Sequence, residues 1–66
     1  MNWDRIEGNW EQLKGKFRTK WGKLTDSDFS KIHGKKDEIV GRLRERYGLA
    51  KEEAEKEADK FAEELQ

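Results

Sequence analysis

The sequence has no cysteine, no proline, a single histidine and no long apolar run. Without cysteine, a disulfide framework, a thiolate metal site and a cysteine nucleophile are all excluded. No apolar run approaches the roughly 20 residues that a membrane-spanning helix requires. The first ten residues include Asp4 and Glu7 and lack the apolar segment of a secretory signal. We therefore expect a cytoplasmic protein with no membrane span.

Aliphatic side chains are also scarce. Leu, Ile, Val and Phe together account for 12 of the 66 residues, whereas 45% of the residues are charged. A composition of this kind borders on disorder, but disorder also favours a large net charge. Here 15 basic residues balance 15 acidic ones, and three tryptophans add apolar area. We expect a single small folded domain over residues 1–66, with a light core.

The spacing of the apolar residues predicts an all-α fold. From Trp3 to Trp21 they recur at steps of three and four residues, which places them on one side of a helix. This pattern predicts a first helix over 3–21, with Asn2 as its N-cap and Gly22 as the residue after its end. Trp3 and Trp10 belong to the apolar stripe, so we expect them inside the protein rather than stacked on nucleic-acid bases.

Three further helices are predicted. Thr25 is a good N-cap whose hydroxyl can accept from the Asp28 N–H, and the short helix that follows is ended by Gly34. The next helices lie near 36–47 and 51–65. Their inward-facing residues are predicted to be Ile39, Val40, Leu43 and Tyr47, then Ala54, Ala58, Phe61, Ala62 and Leu65.

An approximate internal repeat relates residues 6–22 to residues 32–48. Five of the seventeen aligned positions are identical, and the pairs Trp21-Gly22 and Tyr47-Gly48 close the two segments. This pattern favours a duplicated helical hairpin. Chance similarity between two amphipathic helices is the alternative explanation.

Three glycines, Gly8, Gly15 and Gly41, fall inside predicted helices. Each costs about 1 kcal/mol of helix stability relative to alanine. They represent either a tolerated weakness or a bare backbone surface that a partner uses. We favour the first interpretation because Gly8 lies nearly opposite the apolar stripe.

The sequence contains few residues that could form a catalytic site. His33 precedes a helix-ending glycine, where a structural role is expected, and with Asp37 it offers only two metal ligands. Four short helices also leave little room for a ligand-sized pocket. We therefore expect no enzyme activity, cofactor, metal or small-molecule substrate. The acidic residues of the last helix are predicted to form a solvated face, balanced by its lysines: Glu52, Glu53, Glu55, Glu57 and Asp59 with Lys51, Lys56 and Lys60.

Charge is distributed unevenly along the chain. Residues 1–48 carry a net charge of +4 and residues 49–66 a net charge of −4. Basic clusters at 14–23 and 42–46 predict, as an alternative function, a surface that binds nucleic-acid phosphates. Attraction between these clusters and the acidic last helix is the competing explanation, and a net charge of zero weakens long-range steering. The candidate nucleic-acid residues are Lys14, Lys16, Arg18, Lys20, Arg42, Arg44 and Arg46.

Three stretches of the chain, GNWEQLKGK, WGKLTDSD and GKKDEIVGRLRERYGLAKEEAEKE, resemble the CsbD-like family of small bacterial proteins. The similarity extends over roughly residues 1–57. It implies a small four-helix bundle of two roughly orthogonal helical hairpins, similar to the SAM-domain class and with an approximate duplication. It also implies a cytoplasmic protein of the general stress response. Because the family has no established activity, the resemblance supplies no catalytic or binding residues.

Together these observations predict a non-enzymatic stress-response protein, a hydrophilic helical domain with a protective role. A nucleic-acid-binding module is the alternative. The sequence does not identify a partner or an oligomeric state.

Overall fold

A computed structural model describes residues 2–65, which form five helices. No strand occurs between residues 2 and 65. The predicted all-α fold is therefore confirmed, but the predicted count of four helices is wrong. The helices are α1 (Trp3–Gly8), α2 (Trp10–Lys20), α3 (Asp26–Lys31), α4 (Lys36–Tyr47) and α5 (Lys51–Glu64).

The additional helix arises because the predicted first helix is interrupted at Asn9. This residue has φ −113° and ψ 22°, away from helical values. Its side-chain Nδ2 and its backbone N–H each donate to the Arg5 carbonyl oxygen at 3.0 Å. Asparagine favours such local hydrogen bonds over a helix interior, and Gly8 before it is a weak helix former. The chain therefore bends between α1 and α2.

The loop between α3 and α4 packs against this bend at Gly34. Gly34 has a φ of +89°, and a Cβ atom there would lie 3.0 Å from the Glu7 Cα and 3.1 Å from the Trp10 Cβ. Any other residue would meet both the unfavourable φ and the close contact. Glycine is therefore required at this position.

Side-chain caps begin two of the helices as predicted. The Asn2 Oδ1 accepts from the Arg5 N–H at 2.9 Å. At the start of α3, the Thr25 hydroxyl accepts from the Asp28 N–H at 3.1 Å, and the Asp28 carboxylate accepts from the Thr25 N–H at 3.0 Å. This reciprocal pair satisfies two backbone donors that the first turn leaves without partners.

The two predicted aromatic–glycine turns differ in backbone conformation. Helix α4 ends at Gly48, whose φ of +66° is left-handed, as a glycine cap requires. Gly22 follows Trp21 at the end of α2, in the predicted position, but its φ is not positive. The turn at Gly22 therefore does not depend on the conformational freedom of glycine.

The apolar stripe of α1 and α2 is buried, as predicted. Trp10 and Trp21 are almost fully covered, whereas Trp3 is half-buried at the edge of the core. Tyr47, Leu49, Phe61 and Leu65 are also only partly buried, so Phe61 and Leu65 are less covered than the sequence predicts. The buried apolar residues are Ile6, Trp10, Leu13, Phe17, Trp21, Leu24, Phe29, Ile32, Ile39, Val40, Leu43, Ala54, Ala58 and Ala62.

Phe17 lies at the centre of an aromatic cluster that joins the two ends of the chain. Its ring centroid is 5.0 Å from that of Trp10, 5.7 Å from Trp21 and 5.0 Å from Phe61. The Trp10 and Phe61 rings meet Phe17 edge to face, a geometry that adds about 0.5–1.5 kcal/mol per pair beyond area burial. The cluster connects α2 to α5.

Helix α5 packs against α4. Its inward face consists of Ala54, Ala58 and Ala62, which are each exposed by 2% or less. Alanine presents a small side chain and stabilises a helix, so it suits a helix that lies close to its neighbours. The longer acidic and basic side chains of α5 project from its other sides.

The glycines of α1, α2 and α4 generate a stability prediction. A Cβ atom added at Gly8, the last residue of α1, or at Gly15 or Gly41, inside α2 and α4, would meet nothing within 4 Å. We expect alanine at each position to raise the free energy of unfolding by about 0.5–1 kcal/mol, because alanine is the better helix former. Urea unfolding followed by far-ultraviolet circular dichroism measures the change.

Gly48→Ala is the matched control. Its Cβ also meets open space, but its φ is positive. This variant should lose roughly 1–2 kcal/mol through backbone strain alone. Destabilisation by alanine at all three positions would show that those glycines have a structural role.

Candidate functional surface

The basic residues of α2 lie on two sides of the helix. Lys14 and Arg18, four residues apart, share one side, and Lys16 and Lys20 share another. The Lys14 Nζ lies 3.6 Å from a Glu11 carboxylate oxygen, and Arg18 forms an ion pair with Asp26. Lys16 and Lys20 form no ion pair with any carboxylate in residues 2–65.

The basic residues of α4 are divided in the same way. Arg42 and Arg46 share one side of the helix and both face Asp28 of α3. Arg42 also donates to Glu45 at 3.0 Å. Arg44 lies between them in sequence and is exposed.

The structure therefore does not make a single patch of the seven predicted nucleic-acid residues. The first turn of α3, with Asp26 and Asp28, brings Arg18, Arg42 and Arg46 together. Lys16 and Lys20 instead lie beside the end of α5. Attraction to the acidic last helix was the competing explanation for the basic clusters. Within the described part of the chain, the carboxylates that pair with them come from α2, α3 and α4 instead.

Asp28 is the buried ion-pair centre of the protein. It is exposed by only 2%, and it receives Nε of Arg46 at 2.8 Å on one carboxylate oxygen and Nη2 of Arg46 at 2.9 Å on the other. The Thr25 N–H donates to the same carboxylate. The hydrogen bonds from Arg46 and from the Thr25 backbone hold the pKa of Asp28 far below its usual range, against the opposing effect of burial.

Asp28 in turn raises the pKa of Arg46, chiefly through their shared hydrogen bonds. The bidentate geometry fixes α3 against α4 in one orientation. Sequence analysis identified Asp28 only as a capping residue. It missed the Arg46 pair because eighteen positions separate the two residues.

A second polar contact connects α1, α4 and α5. The Trp3 Nε1 donates to one oxygen of Asp59 at 3.0 Å, and the Lys36 Nζ donates to the other at 2.9 Å. These hydrogen bonds lower the pKa of Asp59, and the one from Lys36 has the larger effect. The sequence analysis placed Asp59 on a solvated acidic face. Half of its side chain is exposed, and its carboxylate also holds the edge of the core through Trp3 and Lys36, which was not predicted.

The backbone of His33 helps to cap the start of α4. Its backbone N–H donates to the Glu38 carboxylate at 2.8 Å, and the same oxygen accepts from the Lys35 N–H at 3.3 Å. Glu38 thereby satisfies backbone donors at the start of α4. Among residues 2–65, no group of three or more metal-ligating side chains comes together. No helix in this same range is long and apolar enough to cross a membrane.

A groove between α2 and α5 was not predicted. It has a volume of about 590 Å³, and Gly15, Thr19, Lys16 and Lys20 line it on one side. Phe61 and Leu65 line it on the other side. The sequence analysis left little room for a ligand-sized pocket and placed both apolar residues in the core. The sequence already indicated this arrangement, because Phe61 and Leu65 lie at the edge of the helix face that Ala54, Ala58 and Ala62 form.

The Asp28–Arg46 pair predicts a specific dependence of stability on pH. Asp28→Asn should lower the free energy of unfolding at neutral pH by about 1–3 kcal/mol, because charged hydrogen bonds are lost from a buried site. The folded pKa of Asp28 lies below the unfolded value of about 3.9. As the pH falls, the unfolded chain binds this proton first, so the stabilisation is complete above about pH 5 and declines below about pH 4.

Urea unfolding at several pH values measures the difference between the native protein and Asp28→Asn. The difference should shrink as the solution becomes acidic. Asp26→Asn is the control: Asp26 also pairs with an arginine, but it is 81% exposed and its loss should cost less than about 1 kcal/mol. Equal losses in the two variants would contradict a special role for the buried pair.

Comparison with known proteins matches this chain to one family. A model of the CsbD-like family matches residues 4–56, which span α1 to α4 and the first part of α5. The UPF0337 protein YjbJ of Escherichia coli O6:H1 (strain CFT073) is 54% identical over 61 residues, covering 92% of this chain and 88% of that protein.

Two further UPF0337 proteins are also similar to this chain. The UPF0337 protein ECA0631 of Pectobacterium atrosepticum is 60% identical over 57 residues, covering 86% of this chain and 83% of that protein. The UPF0337 protein pc0632 of Protochlamydia amoebophila is 49% identical over 61 residues, covering 92% of each. These matches confirm the resemblance seen in the sequence motifs. The chain belongs to the CsbD-like family.

Proposed function

We propose that this protein is a non-enzymatic component of the bacterial general stress response, a hydrophilic cytoplasmic domain that protects other macromolecules. The observation that carries the proposal is the character of the surface. No large hydrophobic side chain is exposed anywhere in residues 2–65, and charged residues make up 45% of the chain. Such a surface stays hydrated and offers no extended apolar patch for aggregation.

The distribution of charge supports a protective role. The net charge is zero, although 30 of the 66 residues are charged. A zero net charge weakens long-range attraction to partners of either sign. The domain can therefore lie between other macromolecules and keep them apart without binding one class of partner tightly.

The environment of the titratable groups supports a non-enzymatic role. The groups with shifted pKa values in the described residues are Asp28, Arg46 and Asp59. Each shift is explained by an ion pair or hydrogen bond that joins helices. Shifted groups in active sites usually line a cleft, whereas none of these three residues lines the α2–α5 groove or the depressions near His33 and Gly41.

Protection of a labile enzyme during drying tests the proposal. We expect more activity to survive in the presence of this protein than in the presence of an inert globular protein of equal mass, because the charged surface retains water and separates unfolding chains. Residual activity after rehydration is the measurement. Equal losses with the two proteins would contradict the proposal.

A charge-depleted variant provides the matched control. Replacing Glu53, Lys56, Glu57 and Lys60 by alanine removes two charges of each sign from exposed positions of α5, leaving the net charge unchanged. Alanine also favours the helix, so the fold should be retained. Protection should fall if it depends on surface charge.

Nucleic-acid binding is the second candidate, and one observation favours it. Lys16, Lys20 and Arg44 are exposed and form no ion pair within the described residues. However, Arg18, Arg42 and Arg46 are already paired with carboxylates, which reduces the charge available to phosphates. This pairing makes the protective function the stronger proposal.

Titration of labelled DNA and RNA at about 50 mM salt, where phosphate contacts are strong, distinguishes the two functions. We expect no measurable change in fluorescence anisotropy. Binding that weakens with salt and is abolished by joint replacement of Lys16, Lys20 and Arg44 with alanine would instead favour the nucleic-acid function.

A further inference from the structure

The groove between α2 and α5 combines an apolar lining with a positively charged rim. Phe61 and Leu65, one turn apart on α5, are both partly buried and form its apolar side. Lys16 and Lys20, one turn apart on α2, form the opposite rim. The Lys20 Nζ lies 5.9 Å from the centroid of the Phe61 ring, so its charge is located directly above the apolar surface.

Gly15 keeps one wall of the groove open. A Cβ atom there would meet nothing within 4 Å, so the packing of the fold does not require glycine. A glycine in the interior of a helix nevertheless weakens that helix. Without a side chain at this position, the α2 backbone is accessible from the groove.

Within residues 2–65, Lys16 and Lys20 lack the ion pairs that the neighbouring basic residues of α2 form. Glu11 pairs with Lys14 and Asp26 with Arg18, but no carboxylate of the described chain pairs with the two groove lysines. Like charges four residues apart on a helix repel each other. An anion bound between them would relieve that repulsion.

Three other surface depressions lack this combination. The one near His33 includes Glu7 and Glu11. Both depressions beside Gly41 include Glu45. Each therefore carries a carboxylate that would repel an anion. Of these four depressions, the α2–α5 groove joins an apolar surface to cations without a carboxylate in its lining.

We propose that the α2–α5 groove binds a free anionic amphiphile, a carboxylate with a short alkyl chain. The carboxylate lies between the Lys16 and Lys20 ammonium groups, and the alkyl chain lies along Phe61 and Leu65. From Gly15 to Lys20 the helix rises about 7.5 Å, a length that suits an extended alkyl chain of about six or seven carbons. This activity goes beyond the protective function and does not depend on it.

The surroundings of the groove favour a monomeric amphiphile over a lipid bilayer. Glu57 and Glu64 of α5 are exposed and lie on the outer side of Phe61 according to helical spacing. An anionic membrane surface would have to approach these carboxylates as well as the lysines, whereas the single carboxylate of a free amphiphile lies on the lysine side of the groove. No large exposed apolar residue in the described chain extends the groove into a membrane-binding face.

Titration of the full-length ¹⁵N-labelled protein with sodium octanoate, followed by NMR, tests this proposal. We expect saturable chemical-shift changes confined to residues near 15–20 and 61–65. Octyltrimethylammonium, which has the same chain and the opposite charge, should bind at least about tenfold more weakly, because it loses the attraction of two lysines and is repelled by them.

Two variants locate the site. Lys16→Ala with Lys20→Ala should weaken octanoate binding about tenfold or more, whereas the control pair Lys51→Ala with Lys56→Ala, in the first half of α5 and outside the groove lining, should leave it unchanged. Gly15→Leu places a side chain in the groove and favours the helix, so it should block binding while the circular dichroism spectrum stays native.

Several outcomes would overturn the proposal. These are the absence of saturable shifts at the groove, equal affinity for the cationic amphiphile, and octanoate affinity unchanged by the Lys16 and Lys20 substitutions. Vesicles of anionic lipid provide the last comparison. Binding to vesicles without binding of octanoate would show that the surface recognises a bilayer rather than a free amphiphile.

Discussion

The fold depends on burying aromatic rings in place of aliphatic side chains. Only 12 of the 66 residues are Leu, Ile, Val or Phe, so a conventional aliphatic core is not available to this chain. The rings packed around Phe17 supply the missing apolar area and contribute preferred edge-to-face contacts. Phe17 is covered by Trp3 near the beginning of the chain and by Phe61 near its end.

Ion pairs determine how the short helices are oriented around that core. Asp28 holds α4 through Arg46, and Asp59 joins α5 to Trp3 and Lys36. The Asp28 carboxylate is covered by packing and receives several donors, which is the arrangement that makes a buried charge acceptable, whereas the half-exposed Asp59 carboxylate receives two donors at the edge of the core. The rest of the charged surface remains in contact with water, and this division underlies the proposed protective function.

Local patterns in the sequence predicted most of the helical structure. Spacing predicted the buried stripe from Ile6 to Trp21, and the Thr25–Asp28 cap was recognisable because its partners are three residues apart. The interruption at Asn9 was not predictable from periodicity, because the apolar spacing continues through it while side-chain bonding and the approach of Gly34 break the helix.

The candidate surface was less predictable than the fold. The seven basic residues were visible, but their partners were not, because Asp28 and Arg46 meet only after α3 and α4 pack together. The α2–α5 groove depends on residues far apart in sequence for the same reason. The crossed-hairpin arrangement, the internal repeat and the single-domain assignment of residues 1–66 remain predictions.

The contact between Phe17 and Phe61 has a consequence for the order of folding. Forty-three residues lie between the two rings, and Trp3 and Asp59 are farther apart still. Contacts of such long range raise the contact order of a helical protein and slow its folding relative to bundles with only local contacts. Helices as short as α1 and α3 are marginal in isolation, and the hydrophobic interior closes only when residue 61 has been synthesised and returns to the N-terminal segment.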